Sequence, residues 1–427
     1  MRIAVYFFIL LLAGVGCSPK RYIQKEVIRL EQDFKEHTGF LLYDPASKKN
    51  LVEHQSNRYF TPASNTKIFT FYSSLKMLGD SAVSIKYIQR GDSLIFWGAG
   101  DASFLYGNTF ENRRLFNFLS GAPEKLFFSS SNFQTETMGP GWAWDDYPYY
   151  YSAERSPLPI YGNLINIKKD GNRFYFNPTY FQLHFAAASE ARGDEKIVRD
   201  LNSNQITYYP GKRSRSSWAI PFRYRDDLVV DLLSDTLRRK VELINKPLAV
   251  DAKVLRSVPI DSLLRVMMHD SDNFIAEQLL LQCAAIVSDT LQPEIAIAYA
   301  KKNFLSDLPD EAQWVDGSGL SRYNLFTPRS IVKLWEKIYQ EVPRQRLFPL
   351  LATGGKSGTI KNLYKAEQPY IYGKTGTLSN NHTLSGYILT RRGRVLIFSM
   401  MNNNYLVPTS EVRQRMEKIL YSIHERF

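Results

Sequence analysis

Ser64 and Lys67, a serine and a lysine three residues apart, have the types and spacing of a nucleophile and its base. They lie in the stretch T-P-A-S-N-T-K-I-F-T, and residues three apart share one face of a helix. A serine hydroxyl becomes a nucleophile when a base removes its proton, and lysine can be that base only if its pKa is lowered. The apolar neighbours Ile68 and Phe69 indicate a buried helix, and burial disfavours the ammonium form.

This spacing alone does not distinguish a catalytic pair from the capped start of an ordinary helix. The same spacing recurs at Ser73 with Lys76 and at Ser330 with Lys333. Further polar motifs are therefore needed to support the interpretation.

The triplet Ser271-Asp272-Asn273 interrupts two helical runs between residues 260 and 287, where side chains can project into a cleft. A second hydroxyl at this place could relay a proton to a leaving amine, and an amide could hold a substrate backbone. By itself, S-D-N is also a turn or helix-cap signal.

The segment Lys374-Thr375-Gly376-Thr377 falls on a predicted strand, so the two threonines share one face. Lys374 and the hydroxyls can hold a carboxylate, and Gly376 would let a substrate backbone approach closely. The segment 356–359, K-S-G-T, has nearly the same letters, but its neighbouring glycines predict a loop.

Helices and strands that could position these motifs lie mostly towards the two ends of the chain. Apolar periodicity predicts helices at 22–36, 62–79, 226–239, 260–287 and 409–424, and strands on both sides of Asp44-Pro45 and at 370–378, 383–390 and 395–402. Between 86 and 221, short β-like segments alternate with turns. The pattern predicts an α+β domain, formed by 18–85 and 222–427, with an antiparallel sheet and a large β-rich insertion at 86–221.

The three motifs together resemble the S-x-x-K, S-D-N and K-T-G set of β-lactamases and penicillin-binding proteins. The long interval between Ser64 and Ser271 holds the whole insertion, a layout similar to class C low-molecular-mass penicillin-binding proteins, the D-alanyl-D-alanine carboxypeptidase/endopeptidase family. The fragments W-G-A-G-D (97–101), G-W-A-W-D-D (141–146) and V-D-G-S-G-L-S-R (315–322) also resemble that family. The resemblance covers nearly the whole mature chain and implies a serine DD-peptidase/β-lactamase-like domain.

The resemblance implies a role for each motif residue in acyl transfer. Ser64 would be the acylated nucleophile and Lys67 the base for acylation. Ser271, with Lys374 nearby, would pass a proton to the departing D-alanine, and Asn273 would bind the substrate amide.

Substrate binding is implied in the same way. Thr375 and Thr377, in the strand with Gly376, would hold the terminal carboxylate together with Lys374. The backbone N–H groups of Ser64 and Thr377 would form an oxyanion hole.

Three further positions match residues that meet the diaminopimelate end of the stem peptide in family members: Asp146, Tyr151 and Arg322. Tyr151 replaces a phenylalanine, and Ser379 stands where some members have a longer glutamine, so side-chain specificity stays open. A purely structural contact between domains is the alternative role for these three residues.

Composition limits the classes of partner and cofactor. The formal charge of +12 favours anionic partners such as a polyanionic cell envelope or carboxylate substrates, and no arginine-rich arm or basic helix supports nucleic acid. The six histidines have no paired-ligand spacing, so we expect neither a catalytic metal nor another cofactor.

The N-terminal sequence M-R-I-A-V-Y-F-F-I-L-L-L-A-G-V-G-C-S predicts a secretory signal over 1–17. It resembles a bacterial lipoprotein signal with Cys17 as the lipidated residue, which implies a periplasmic protein anchored to a membrane. Ordinary cleavage nearby without a lipid is the alternative. If Cys17 is acylated, no intrachain disulfide is possible, and Cys283 is expected to be a core thiol.

The main hypothesis is a serine DD-peptidase that acts on peptidoglycan stem peptides and is acylated by β-lactams. It would release terminal D-alanine, cleave D-alanyl cross-links, or both. A β-lactamase-like hydrolase is one alternative, but no E-x-x-L-N-like segment supplies the extra base for deacylation. A catalytically weak penicillin-binding envelope protein is another, which a damaged motif would favour, and none of the three is damaged.

Overall fold

The structure, a computed structural model, describes residues 18–107, 109–191 and 193–427. The predicted signal over 1–17, with Cys17, lies outside the described residues. Within them, no helix has both the length and the apolar character needed to cross a bilayer.

The helices and strands of the described residues follow the sequence prediction closely in both terminal parts. The helices are α1 (Pro19–Phe34), α2 (Lys67–Met77), α3 (Arg114–Gly121), α4 (Asp226–Leu237), α5 (Ile260–His269), α6 (Asn273–Ser288), α7 (Pro293–Asn303), α8 (Pro328–Glu341), α9 (Arg344–Leu347) and α10 (Thr409–Arg426). The strands are β1 (His37–Asp44), β2 (Lys49–His54), β3 (Ser81–Arg90), β4 (Ser93–Gly98), β5 (Lys125–Ser129), β6 (Leu164–Asp170), β7 (Arg173–Asn177), β8 (Phe185–Ala187), β9 (Lys196–Arg199), β10 (Ile206–Tyr209), β11 (Ser217–Pro221), β12 (Val241–Leu243), β13 (Lys253–Pro259), β14 (Ala352–Thr353), β15 (Ile371–Leu378), β16 (Asn381–Leu389) and β17 (Val395–Asn403).

A six-stranded antiparallel sheet joins the two ends of the described chain in the order β14-β15-β16-β17-β1-β2. Strands β16 and β17 are buried almost throughout, because helices cover both faces of the sheet. The apolar stripes of α1 and α10 pack on one face, with Val27 and Met416 in the same core. This architecture confirms the predicted α+β fold class.

A helical layer containing α2, α5, α6 and α8 packs against the other side of the sheet. Helix α6 is buried along most of its length, which explains its continuous apolar run L-L-L-Q-C-A-A. Cys283 lies in this core with no exposed surface, and burial raises the pKa of its thiol to about 12. The layer brings the N-terminus of α6 next to that of α2.

The β-rich part of the chain has its own core and three smaller sheets. A five-stranded sheet has the order β12-β5-β4-β3-β13, and two three-stranded sheets have the orders β11-β6-β7 and β8-β10-β9. The five-stranded sheet runs from Ser81 to Pro259, so its ends do not coincide with the predicted limits of 86 and 221. Helix α4 packs Leu232 and Leu233 into this β-rich core. The sequence instead predicts this helix as part of the α+β domain, because its apolar residues recur at helical spacing.

Candidate active site

The predicted nucleophile lies in a 3₁₀ turn, Ala63–Thr66, which leads directly into α2. Ala63 has a φ of 48°, an unfavourable value for a residue with a Cβ. Lys67 Nζ donates a hydrogen bond of 2.9 Å to Ser64 Oγ, so the two side chains meet as their spacing predicted. By contrast, Lys76 is paired with Glu341.

Burial makes the neutral form of Lys67 easier to reach than that of an exposed lysine. The side chain is fully buried, and its Nζ also donates to Asn273 Oδ1 at 2.6 Å and to the Ser318 carbonyl oxygen at 2.7 Å. Burial lowers the pKa of Lys67 to about 8, against the opposing effect of nearby carboxylates, of which Asp316 is the foremost. An amine with this pKa can accept a proton from Ser64 near neutral pH.

Ser271 and Lys374 form a second serine–lysine pair across the cleft. Ser271 lies between α5 and α6 with a φ of 60°, and Lys374 Nζ donates to its Oγ at 2.7 Å and to the Thr375 carbonyl oxygen at 2.8 Å. Burial, and secondarily the charge of Lys67, hold the pKa of Lys374 well below its usual range. A hydrogen-bonded serine and lysine of this kind can pass a proton to a leaving amine.

The rest of the S-D-N motif is held by two residues of the β-rich part. Asp272 caps α6 by accepting from Ile275 N at 2.8 Å, and its other oxygen accepts from Tyr106 Oη at 2.6 Å. The amide of Asn273 is occupied at both ends, because its Nδ2 donates to the Tyr151 carbonyl oxygen at 2.9 Å. The sequence gave no signal for Tyr106, which is separated from Asp272 by 166 residues.

The outer end of β15 presents a row of hydroxyl groups. Thr375 Oγ1 lies 2.7 Å from Thr359 Oγ1, and Thr377 Oγ1 lies 2.8 Å from His382 Nδ1. Arg413 Nη2 is 3.4 Å from Thr377 Oγ1. These donors are suited to a carboxylate at the edge of the sheet.

The preference for Lys374 over the similar K-S-G-T segment agrees with burial, because Lys374 is buried and Lys356 is exposed. However, Thr359 from that segment does reach the site. Gly376 has a different neighbour from the one expected: a Cβ on it would lie 2.5 Å from Pro62 O and 2.8 Å from Ser64 N. The glycine therefore brings β15 against the nucleophile's own backbone, which corrects the expected approach of a substrate backbone.

A cavity of about 700 Å³ contains Ser64, Ser271, Asn273 and Thr377 in its lining. Asp146, Tyr151 and Arg322 line the same cavity, so the three predicted substrate-side residues lie with the catalytic motifs. Tyr151 Oη donates to Asp146 Oδ1 at 2.8 Å, and Arg322 Nη2 donates to the Ser379 carbonyl oxygen at 3.1 Å.

A buried ion pair is connected to Lys67 through Ser318. Arg155 and Glu277 are 1% and 0% exposed, and their charged atoms are 3.0 Å apart. Glu277 also accepts from Ser318 N at 2.8 Å, and the Ser318 carbonyl oxygen accepts from Lys67. This chain of contacts connects Arg155 to Lys67 in the active site. No sequence motif indicated these contacts.

We expect Arg155→Met to lower the free energy of unfolding by about 3–5 kcal/mol, because the Glu277 carboxylate would remain buried without its partner. Denaturant unfolding of the two proteins measures the difference. Arg90→Met is the matched control, since the Arg90–Asp251 pair is largely exposed and worth about 0–1 kcal/mol. Equal losses in the two variants would contradict a structural role for the buried pair.

Acyl transfer through a serine ester is the chemistry that this cavity can perform, and the surrounding fold is that of the penicillin-binding class of serine hydrolases. Residues 24–423 match the D-Ala-D-Ala carboxypeptidase 3 (S13) family, and the chain belongs to that family. It is a serine-type D-Ala-D-Ala carboxypeptidase of peptidoglycan metabolism.

Relatives of similar length support this assignment. The chain is 24% identical over 454 residues to the D-alanyl-D-alanine carboxypeptidase DacB of Haemophilus influenzae. This alignment covers 92% of this chain and 91% of that protein. It is 24% identical over 431 residues to the D-alanyl-D-alanine carboxypeptidase of Actinomadura sp. R39, with 87% and 78% covered.

Solved structures share the fold. Penicillin-binding protein 4 from Haemophilus influenzae aligns with a TM-score of 0.77 at 21% identity, over 93% of this chain and 99% of that one. A predatory endopeptidase from Bdellovibrio bacteriovorus aligns with a TM-score of 0.52 at 14% identity, over 91% and 93% of the two chains.

Proposed function

We propose that Ser64 is the residue acylated by D-alanyl-D-alanine stem peptides. Ser64 Oγ attacks the D-alanyl carbonyl carbon while its proton passes to neutral Lys67, and a C–O bond forms. The 2.9 Å hydrogen bond and the lowered pKa of Lys67 together carry this assignment. The backbone N–H groups of Ser64 and Thr377 stabilise the oxygen of the tetrahedral intermediate.

Breakdown of that intermediate releases the leaving amine. The C–N bond breaks, and the nitrogen takes a proton from Ser271, which Lys374 replenishes through their 2.7 Å hydrogen bond. Water then attacks the Ser64 ester, giving a shortened peptide with a free carboxylate and regenerating the serine. Within the described residues, no cluster of His, Cys, Asp or Glu is suited to hold a metal.

Two ends of the cavity hold the substrate in this proposal. Thr375 and Thr377 bind the carboxylate of the departing residue, assisted by the positive charge of Arg413. Asn273 binds the substrate amide by exchanging one of its present partners for the peptide.

At the other end, Asp146 and Arg322 contact the side chain of the third stem residue. Both line the cavity that contains Ser64, and they can meet an ammonium and a carboxylate on one side chain. Tyr151 holds Asp146 in place with its 2.8 Å hydrogen bond.

Cross-link cleavage and β-lactam acylation belong to the same proposal. A D-alanyl cross-link presents the same carbonyl as the terminal dipeptide, and the fold is shared with an endopeptidase. A β-lactam complex of the Haemophilus penicillin-binding protein 4 supports acylation of Ser64 by these drugs.

We also propose that the enzyme works in the periplasm after its signal is cleaved immediately before Cys17, and that a lipid on Cys17 anchors it to a membrane. The basis is the N-terminal sequence together with a cell-wall substrate. The cationic surface suits a polyanionic envelope. Metabolic labelling with a radioactive fatty acid tests the anchor, with Cys17→Ala as the variant that loses the label.

Release of D-alanine from a D-Ala-D-Ala pentapeptide by the purified protein tests the proposed function. We expect turnover of the pentapeptide together with slow turnover of a chromogenic cephalosporin, because the sequence has no E-x-x-L-N-like segment to supply the extra base for deacylation. Rapid cephalosporin turnover without D-alanine release would instead indicate a β-lactamase. Penicillin binding without either activity would indicate a catalytically weak binding protein.

A further inference from the structure

A second groove, of about 550 Å³, lies next to the catalytic cavity, beside the outer end of β15. Its polar lining includes Asp270, Thr359, Lys361, Arg413 and Gln414. Asp270 lines both the groove and the catalytic cavity, so the two are adjacent.

The groove lies on the side of the departing group. Thr359 Oγ1 is 2.7 Å from Thr375 Oγ1, and Arg413 Nη2 is 3.4 Å from Thr377 Oγ1. In the proposed mechanism, those two threonines hold the carboxylate of the residue that leaves. A leaving group that extends past this carboxylate in the direction of Thr359 and Arg413 would reach the groove, whereas D-alanine ends before it.

The charge of the groove favours an anionic occupant. Lys361 is exposed and Arg413 is half-buried, and within the described residues neither forms an ion pair. Asp270 is the one carboxylate in the described lining. The net positive charge therefore attracts peptide carboxylates at moderate ionic strength.

We propose that this groove binds the second stem peptide of a D-alanyl cross-link, an anionic peptide, while the first stem peptide occupies the catalytic cavity. This proposal rests on the proposed function. It names the class of substrate that occupies the side of the active site where the leaving group lies. In a cross-link, the departing amine belongs to a side chain of another stem peptide, whose backbone continues and carries free carboxylates. Cleavage breaks the C–N bond, the amine gains a proton, and water later resolves the Ser64 ester.

The proposal separates the two activities, because releasing D-alanine uses only the catalytic cavity. The variant Lys361→Glu reverses a groove charge that lies away from the reacting atoms. Its control is Lys365→Glu, an equally exposed charge reversal four residues further on and outside the groove lining. The measured quantity is kcat/KM for a D-alanyl cross-linked dimer divided by kcat/KM for the pentapeptide.

We expect this ratio to fall by roughly three- to tenfold in Lys361→Glu, because surface charge pairs contribute modestly to binding. Lys361→Ala should show a smaller fall in the same direction, and the control should keep the wild-type ratio. Added salt should reduce the wild-type ratio towards that of Lys361→Glu, since these charges are screened.

An unchanged ratio in both Lys361 variants would overturn the proposal, as would an equal fall in Lys365→Glu. A wild-type enzyme that cleaves the pentapeptide but not the dimer would also overturn it. A wild-type enzyme that cleaves the dimer but releases no D-alanine would contradict the proposed carboxypeptidase activity and leave the groove proposal standing. Failure of the groove proposal and failure of the proposed function are therefore distinguishable. Stoichiometric penicillin labelling of each variant confirms that its site is folded.

Discussion

Replacing Ser64 with alanine is expected to abolish covalent attachment of labelled penicillin and to reduce D-alanine release by about 10⁴-fold or more. The variant removes the one hydroxyl to which Lys67 donates in this site, so no serine ester can form. Gel fluorography with a fluorescent penicillin and a coupled D-alanine assay measure the two effects. A serine-to-alanine change in a partly buried turn should leave the fold intact.

Ser73→Ala is the matched control, because Ser73 has the same spacing to a lysine but is buried in the core of α2. Its hydroxyl has no hydrogen-bond partner among the described residues, so its loss costs little. We expect normal labelling and normal turnover in this variant. Labelling that survived in Ser64→Ala would mean that another side chain is the nucleophile.

Replacing Lys67 with arginine is expected to slow acylation by about 10²–10⁴-fold, the usual contribution of a general base. The guanidinium keeps the positive charge but does not lose its proton near neutral pH. Lys67→Met, which has a similar length and no amine, should be slowed to a similar degree. Stopped-flow acylation by a chromogenic β-lactam measures the rates, and Lys76→Arg is the control, because Lys76 has the same spacing to Ser73 but pairs with Glu341.

The pH dependence of acylation follows from the same residue. Because burial lowers the pKa of Lys67 to about 8, the amine is mostly protonated below that pH and mostly neutral above it. The acylation rate should therefore rise with pH, with a midpoint near this value, and fall about tenfold per unit well below it. Lys67→Met should lose this rise of the acylation rate with pH. If the rise persisted in the variant, the titrating group would be another residue.

The contact between Ser64 and Lys67 was predictable because it is local, whereas the other two motifs were assigned by their resemblance to a known family. Ser64 and Lys67 are one helical turn apart, and a period of three to four residues fixes their contact. The strands and helices of the terminal parts were equally clear, since their apolar patterns are long and regular. The predicted strand at 370–378, for example, is β15 at Ile371–Leu378.

Residues that act only through tertiary contacts gave no comparable signal. Arg155 and Glu277 are separated by 122 residues, and Thr359 belongs to a segment that looked like a loop. The limits of the β-rich insertion could not be predicted from the sequence for a related reason. Strand β12 has three residues and β13 alternates weakly, so neither differs from a turn until its neighbours in the sheet are known.

The pairing of β1 with β17 decides when, during synthesis, this enzyme can first become active. Asn65, beside the nucleophile, donates to the Lys374 carbonyl oxygen across 309 residues of chain, and β1 has β17 as its neighbour in the sheet. A nascent chain therefore lacks both the second lysine and the sheet that holds Ser64 until nearly all of it has been made. Contacts of such long range also form slowly, so we expect the active site to assemble late in folding.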